Sequence, residues 1–209
     1  NETLRMEQNC LEQIRHSINH CKNNIAVCEK QIKKCSSASL AILETKKSAF
    51  KDNLLIWNTM GHIQMASIEM KEYMKRLSVE SIDEWEERDV IKSVYTAIYE
   101  TSKKLVDATA DIFKFIKHYF PNYDYRAFTD VRKELCRFRE SNTSELTRVR
   151  NTIDAHRDVE VSVQIEVIEG LHLANAVQLI VEYEGIINKL GNETSPIKEL
   201  GLKRLQACF

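Results

Sequence analysis

The eleven residues Arg148-Val149-Arg150-Asn151-Thr152-Ile153-Asp154-Ala155-His156-Arg157-Asp158 hold three Arg, two Asp, one Asn and one His, the densest gathering of acid–base and anion-binding groups in the chain. No phosphate loop, Cys-x-x-Cys pair or nucleophile elbow occurs elsewhere, so any chemistry passes through this segment. The residue types suit cleavage of RNA. That substrate carries its own nucleophile in the 2′-OH, so an imidazole that removes its proton and a guanidinium that holds the pentavalent phosphorane suffice without a metal ion. Arg offers a fixed fork of donors for phosphate, and His has an unperturbed pKa of about 6.5. Spacing adds a constraint. Six residues along an α-helix turn through about 600°, which leaves Arg150 and His156 roughly 120° apart in azimuth. Either the helix ends between them, or each works with a residue from another helix or another subunit.

Arg150-Asn151-Thr152-Ile153-Asp154-Ala155-His156 resembles the signature of the HEPN superfamily, all-α domains in which an Arg, followed by a polar residue that is often Asn, precedes a His by four to six residues. Typical members are metal-independent endoribonucleases, including toxins and antiphage effectors, that dimerise and pool their motifs. The resemblance implies that Arg150 is the phosphate and transition-state ligand, Asn151 its polar companion and His156 the general acid or base; the flanking Arg148 and Arg157 are expected to be substrate-binding residues. It covers one seven-residue motif in a helical setting from about residue 81 to 190. A second match to the loose pattern, Arg15-His16-Ser17-Ile18-Asn19-His20, falls on the expected solvent side of the first helix.

Two other readings compete. In one the motif is structural, Arg150 pairing with Asp154 one turn on while Asn151 and His156 stitch a helix end, and the chain is a non-catalytic helical interaction module. In the other, Glu86, Glu87, Glu100, Asp107 and Asp111 are similar to the acidic helices with which all-α nucleotide pyrophosphatases hold magnesium, although Val90 stands where that pattern wants its third acid. Glu12, His16 and His20 stack at four-residue spacing, but polar residues on an outward helix face are ordinarily solvated. No metal or cofactor is expected.

The elements that must position the motif read as helices throughout. Only five Gly and two Pro punctuate 209 residues, a composition of long helices with few turns. Leu4, Leu11, Ile14, Ile18, Cys21, Ile25, Cys28, Ile32 and Cys35 form a heptad seam that predicts a helix over 3–35. After the turn residues Ser36 to Ser39, Leu40, Leu43, Phe50, Leu54 and Trp57 open a second long helix, so residues 1–77 form an antiparallel helical hairpin. Ser81-Ile82-Asp83-Glu84 has the form of a capping box. It leads into a helix ending at Pro121, with Trp85, Ile91, Val94, Tyr95, Ile98, Leu105 and Ile112 on its buried stripe. Phe128 to Phe138 predict a shorter helix, Ser141 to Glu145 a break with fresh caps, and Ile165 to Ile187 a helix that stops at Gly191. A last short helix follows Ser195-Pro196. The prediction is an all-α bundle of six or seven helices in two domains, the hairpin 1–77 and a HEPN-like bundle 78–209.

Thirty basic and thirty-one acidic residues leave a net charge of −1, so no overall charge draws the chain to nucleic acid or membrane. The local distribution is uneven. Residues 126–157 hold eight Arg or Lys against five acids, and residues 158–188 hold six acids and no Lys or Arg, which predicts either salt-bridged helix faces or a basic strip beside the motif. Cys21, Cys28 and Cys35 lie about 10.5 Å apart per step on one helix, beyond the roughly 7 Å limit for a disulfide, and read as buried reduced thiols. No apolar run approaches the roughly 18 residues of a membrane span, and Asn1 to Arg5 does not open a signal peptide. A cytoplasmic protein is expected, with RNA as substrate if it is catalytic and a homodimer or a helical protein as partner.

Overall fold

A computed structural model describes residues 2–79, 82–152 and 160–208. Among the described residues seven helices follow in order: α1 (Glu2–Ile32), α2 (Ser37–Leu77), α3 (Glu84–Tyr119), α4 (Arg126–Arg150), α5 (Val161–Glu169), α6 (Leu173–Thr194) and α7 (Ile197–Gln206). Among the described residues there is no strand, and the all-α class read from composition is found. The chain divides into two compact units. One comprises Asn1–Gln64, Asp107–Thr129 and Leu190–Phe209; the other comprises Met65–Val106 and Asp130–Lys189. This division cuts across the boundary expected at residues 77 and 78, since α2, α3, α4 and α6 each contribute to both units.

In the first unit the heptad seam of α1 is covered as its spacing requires. Ile14, Cys21 and Cys28 are buried, and Leu11, Ile18, Ile25, Ile32 and Cys35 are half-buried. Cys21, Cys28 and Phe50 form one core cluster, against which Ile25, Leu54, Trp57 and Leu205 pack. Gly61 lets α1 come close, because a Cβ there would stand 3.4 Å from Ile14 Cγ2. Helix α7 settles on α2 through Gly201. The buried Asn53 amide donates to the carbonyl of Gly201 at 2.8 Å and to that of Ala49 at 3.0 Å. All six cysteines are free thiols.

In the second unit Ile91, Val94, Tyr95, Ile98 and Leu105 of α3 are buried, together with Leu135, Phe138, Leu146 and Val149 of α4 and Ile180, Tyr183 and Ile187 of α6. Tyr183 stacks on Phe138 with ring centres 5.3 Å apart, and its hydroxyl shares a 2.8 Å hydrogen bond with Thr101 Oγ1.

Several expectations need correction. Ser141 to Glu145 do not break the chain, and α4 is continuous from Arg126 to Arg150. Asn142 and Thr143 donate back to the carbonyls of Phe138 and Arg139, one turn earlier, rather than capping a new helix. The predicted helix over 165–187 is divided at Gly170, whose N–H closes α5 on the Glu166 carbonyl at 3.0 Å. Helix α6 then passes Gly191 and ends at Thr194. Helix α3 is capped by Asp83, whose Oδ1 accepts from the N–H groups of Trp85 and Glu86, while Ser81 lies outside the described residues. Trp85, expected on the buried stripe, is 57% exposed, because the cap places it in the first turn, ahead of the packed stretch of α3.

Candidate functional site

Arg150 is the last residue of α4, and Asn151 and Thr152 continue it as a wider, π-type turn. The regular helix thus gives way after Arg150, one of the two arrangements that the azimuthal argument allows. Arg150 is anchored on three sides. Its Nε donates to Glu100 Oε1 at 3.2 Å, its NH2 lies 3.2 Å from the same oxygen, and its NH1 donates to Asn151 Oδ1 at 3.1 Å. The guanidinium carbon sits 5.5 Å from the centre of the Tyr99 ring, within cation–π range. The Arg150 and Glu100 side chains are 34% and 40% exposed, so the pair is open to solvent. A guanidinium carries five N–H donors; the contacts to Glu100 and Asn151 occupy three and leave two.

Arg148, the second basic residue of the motif, is exposed. Its charge acts on the hydroxyl of Tyr95, which donates to Glu145 Oε1 at 3.1 Å. Burial, and then Glu145, hold that phenol protonated far above the ordinary tyrosine range, with Arg148 opposing them. His156 and Arg157 lie outside the described residues, as does Asp154, the expected partner of Arg150. The sequence-predicted residues that can be placed are thus Arg148, Arg150 and Asn151. Of these, Arg150 and Asn151 are in contact, and the acid that holds Arg150 is Glu100 of α3. Glu100 stands out in the sequence only among the acids likened to a magnesium-holding helix, and nothing local marks it or Tyr99 as a partner of Arg150, which follows them by about fifty residues.

The competing constellations do not assemble. Among the described residues no three His, Cys, Asp or Glu side chains gather closely enough to hold a metal ion. Glu100 is engaged by Arg150 and Asp111 by Lys114 at 2.8 Å, while Val90 is fully buried in the core. The motif-like Arg15, His16 and His20 are exposed, as read from the seam. His20 is held by Asn24, which donates to its ring Nε2 at 3.3 Å and to its carbonyl at 2.8 Å. Within the basic stretch, Arg126 pairs with Asp124, Lys133 with Asp130 and Arg150 with Glu100, none of these acids lying in the acidic stretch after residue 158.

No helix among the described residues is long and apolar enough to cross a membrane. No family model, curated protein or solved structure matches the chain.

Proposed function

We propose that the chain is a HEPN-like, metal-independent endoribonuclease of the toxin or antiphage-defence type, acting on RNA in the cytoplasm as a homodimer. The observation that carries this reading is Arg150 itself. It is half-exposed at the point where α4 leaves regular helix, oriented by Glu100, Asn151 and Tyr99, and keeps two N–H donors for an incoming phosphate. Orientation of this kind matters because a donor already aimed at developing charge costs no reorganisation during the reaction. His156, six residues on, serves as the general acid or base, and Arg148 and Arg157 add phosphate contacts. A paired surface for the homodimer is supported by α5, where Val161 and Ile165, one turn apart on the same face, are 68% and 41% exposed.

Purified protein incubated with RNA in EDTA should cleave it and leave a 2′,3′-cyclic phosphate, and should leave DNA of the same sequence intact because the 2′-OH is missing. His156→Ala should slow cleavage on the order of a hundredfold or more. The ion pair with Glu100 also supports a second reading, a non-catalytic helical interaction module in which Arg150 ties α4 to α3. Absence of cleavage, combined with a lower melting temperature for His156→Ala, would favour that module.

A further inference from the structure

In the second unit an open pocket of about 170 Å³ lies between α3, α4 and α6, with Tyr95 and Leu179 buried and Glu145, Asn175, Gln178 and Glu182 exposed to solvent along it. Asn175, Gln178, Leu179 and Glu182 line it from one face of α6, at i, i+3, i+4 and i+7. Asn142 and Glu145 of α4 and Tyr95 of α3 complete the wall. Some of these groups are committed. Tyr95 donates to one oxygen of Glu145, and the Asn142 amide nitrogen donates to Phe138, which leaves the other Glu145 oxygen and the Asn142 carbonyl oxygen. The side chains of Asn175, Gln178 and Glu182 make no hydrogen bond or ion pair with the other described residues.

A pocket with this lining does not suit phosphate, because two carboxylates and no Lys or Arg border it. Nor does it suit a bare apolar ring, which would strip water from the amides and carboxylates without replacing its hydrogen bonds. It suits a flat ring with donors and acceptors along its edge. Among the RNA bases, guanine alone presents two adjacent donors, N1–H and the 2-amino group, and these match the two oxygens of an acceptor-only carboxylate. Its O6 and N7 are acceptors for amide N–H groups. Tyr95, which holds Glu145 of the pocket, and Tyr99, against whose ring Arg150 sits, lie one turn apart on one face of α3, about 6 Å along its axis. That is the scale separating base from phosphate within one nucleotide.

We propose that this pocket binds guanine, with Glu182 accepting from N1–H and the 2-amino group and Gln178 and Asn175 donating to O6 and N7. Its role as the base subsite beside Arg150 rests on the ribonuclease reading, whereas base binding rests on the pocket alone. Guanosine, inosine and adenosine 5′-monophosphates are titrated against wild-type protein and against Glu182→Gln, a solvent-facing change whose fold is checked by circular dichroism. Wild type should bind the guanine nucleotide about tenfold or more tighter than the other two, and Glu182→Gln should remove most of that preference, because an amide cannot accept from both donors. Equal binding of the three nucleotides, no binding of any, or an undiminished preference in Glu182→Gln would overturn the proposal. RNA cleavage is read separately. Guanine-selective binding in a protein that cleaves no RNA leaves the pocket standing and removes the ribonuclease reading; RNA cleavage by a protein that shows no guanine preference does the reverse.

Discussion

Arg150 is the residue on which the two functional readings part, and its geometry separates them experimentally. Replacing it by Lys keeps the charge but not the fork; an ammonium cannot face Glu100, Asn151 and a phosphate at once. If Arg150 binds phosphate, Arg150→Lys should lower RNA cleavage on the order of a hundredfold with little change in melting temperature, since an ion pair this exposed is worth up to about 1 kcal/mol. A sharp fall in melting temperature without any cleavage to lose would point to the interaction module instead. A second residue carries a pH signature. Asp52 Oδ2 stands 3.9 Å from Arg204 Nε, too far for a hydrogen bond, and neither atom has a hydrogen-bond partner among the described residues. Burial raises the Asp52 carboxyl above its ordinary range although Arg204 and His118 pull it down. An acid whose folded pKa exceeds the unfolded one contributes stability that is full below the unfolded value, about 3.9, and is lost as pH rises through the folded value. Asp52→Asn removes that titration. The melting temperature of the variant relative to wild type should therefore climb between about pH 4 and neutrality, and a flat difference would show that Asp52 is not strained by burial.

At the scale of the elements, the tightest constraint is the crossing of α7 over α2. A Cβ at Gly201 would stand 2.7 Å from Asn53 Oδ1 and 2.9 Å from Ile56 Cδ1, and the Asn53 amide is already fixed by two hydrogen bonds. Gly201→Ala should destabilise the protein by about 1–3 kcal/mol through overpacking. On α6, by contrast, a Cβ at Gly185 meets nothing within 4 Å, so Gly185→Ala should stabilise by up to about 1 kcal/mol through helix propensity. Thermal melts of the two variants should move in opposite directions. The same contrast shows what sequence makes legible. The seam of α1 was readable because Ile14, Cys21 and Cys28 repeat at the helical period and burial follows period directly. Glycines carry no such rule. Gly170 ends a helix, whereas α6 runs through Gly191, whose Cβ position lies 3.5 Å from Ile63. Nor does a run of Ser, Asn and Thr announce whether it will cap a helix or bond back into one, as Asn142 and Thr143 do. For the site, the contact of Arg150 with its neighbour Asn151 was within reach of local reasoning. Glu100 was not, because only tertiary packing brings α3 beside the end of α4.

For the whole molecule, the division of the chain makes a stronger demand than a hairpin followed by a bundle. The first unit draws on α1 and most of α2, but also on residues 107–129 and 190–209; the second begins at residue 65, inside α2. Ala66 and Met70, beyond that point on α2, are fully buried. A chain cut between residues 77 and 78 would separate both units from part of their own cores. The fragment 1–77 would keep the Cys21, Cys28 and Phe50 cluster but lose Leu205, which packs against it. The fragment 78–209 would lose the α2 residues of the second unit. Because stability is a small difference between large opposing terms, losing a helix from each core should leave neither fragment folded. Each fragment alone should therefore melt without a cooperative transition, and an equimolar mixture should recover the helical signal and transition of the intact chain by complementation. A sharp, reversible melt of 78–209 by itself would show that the carboxy-terminal helices form an independent domain after all, with the hairpin an appendage to it.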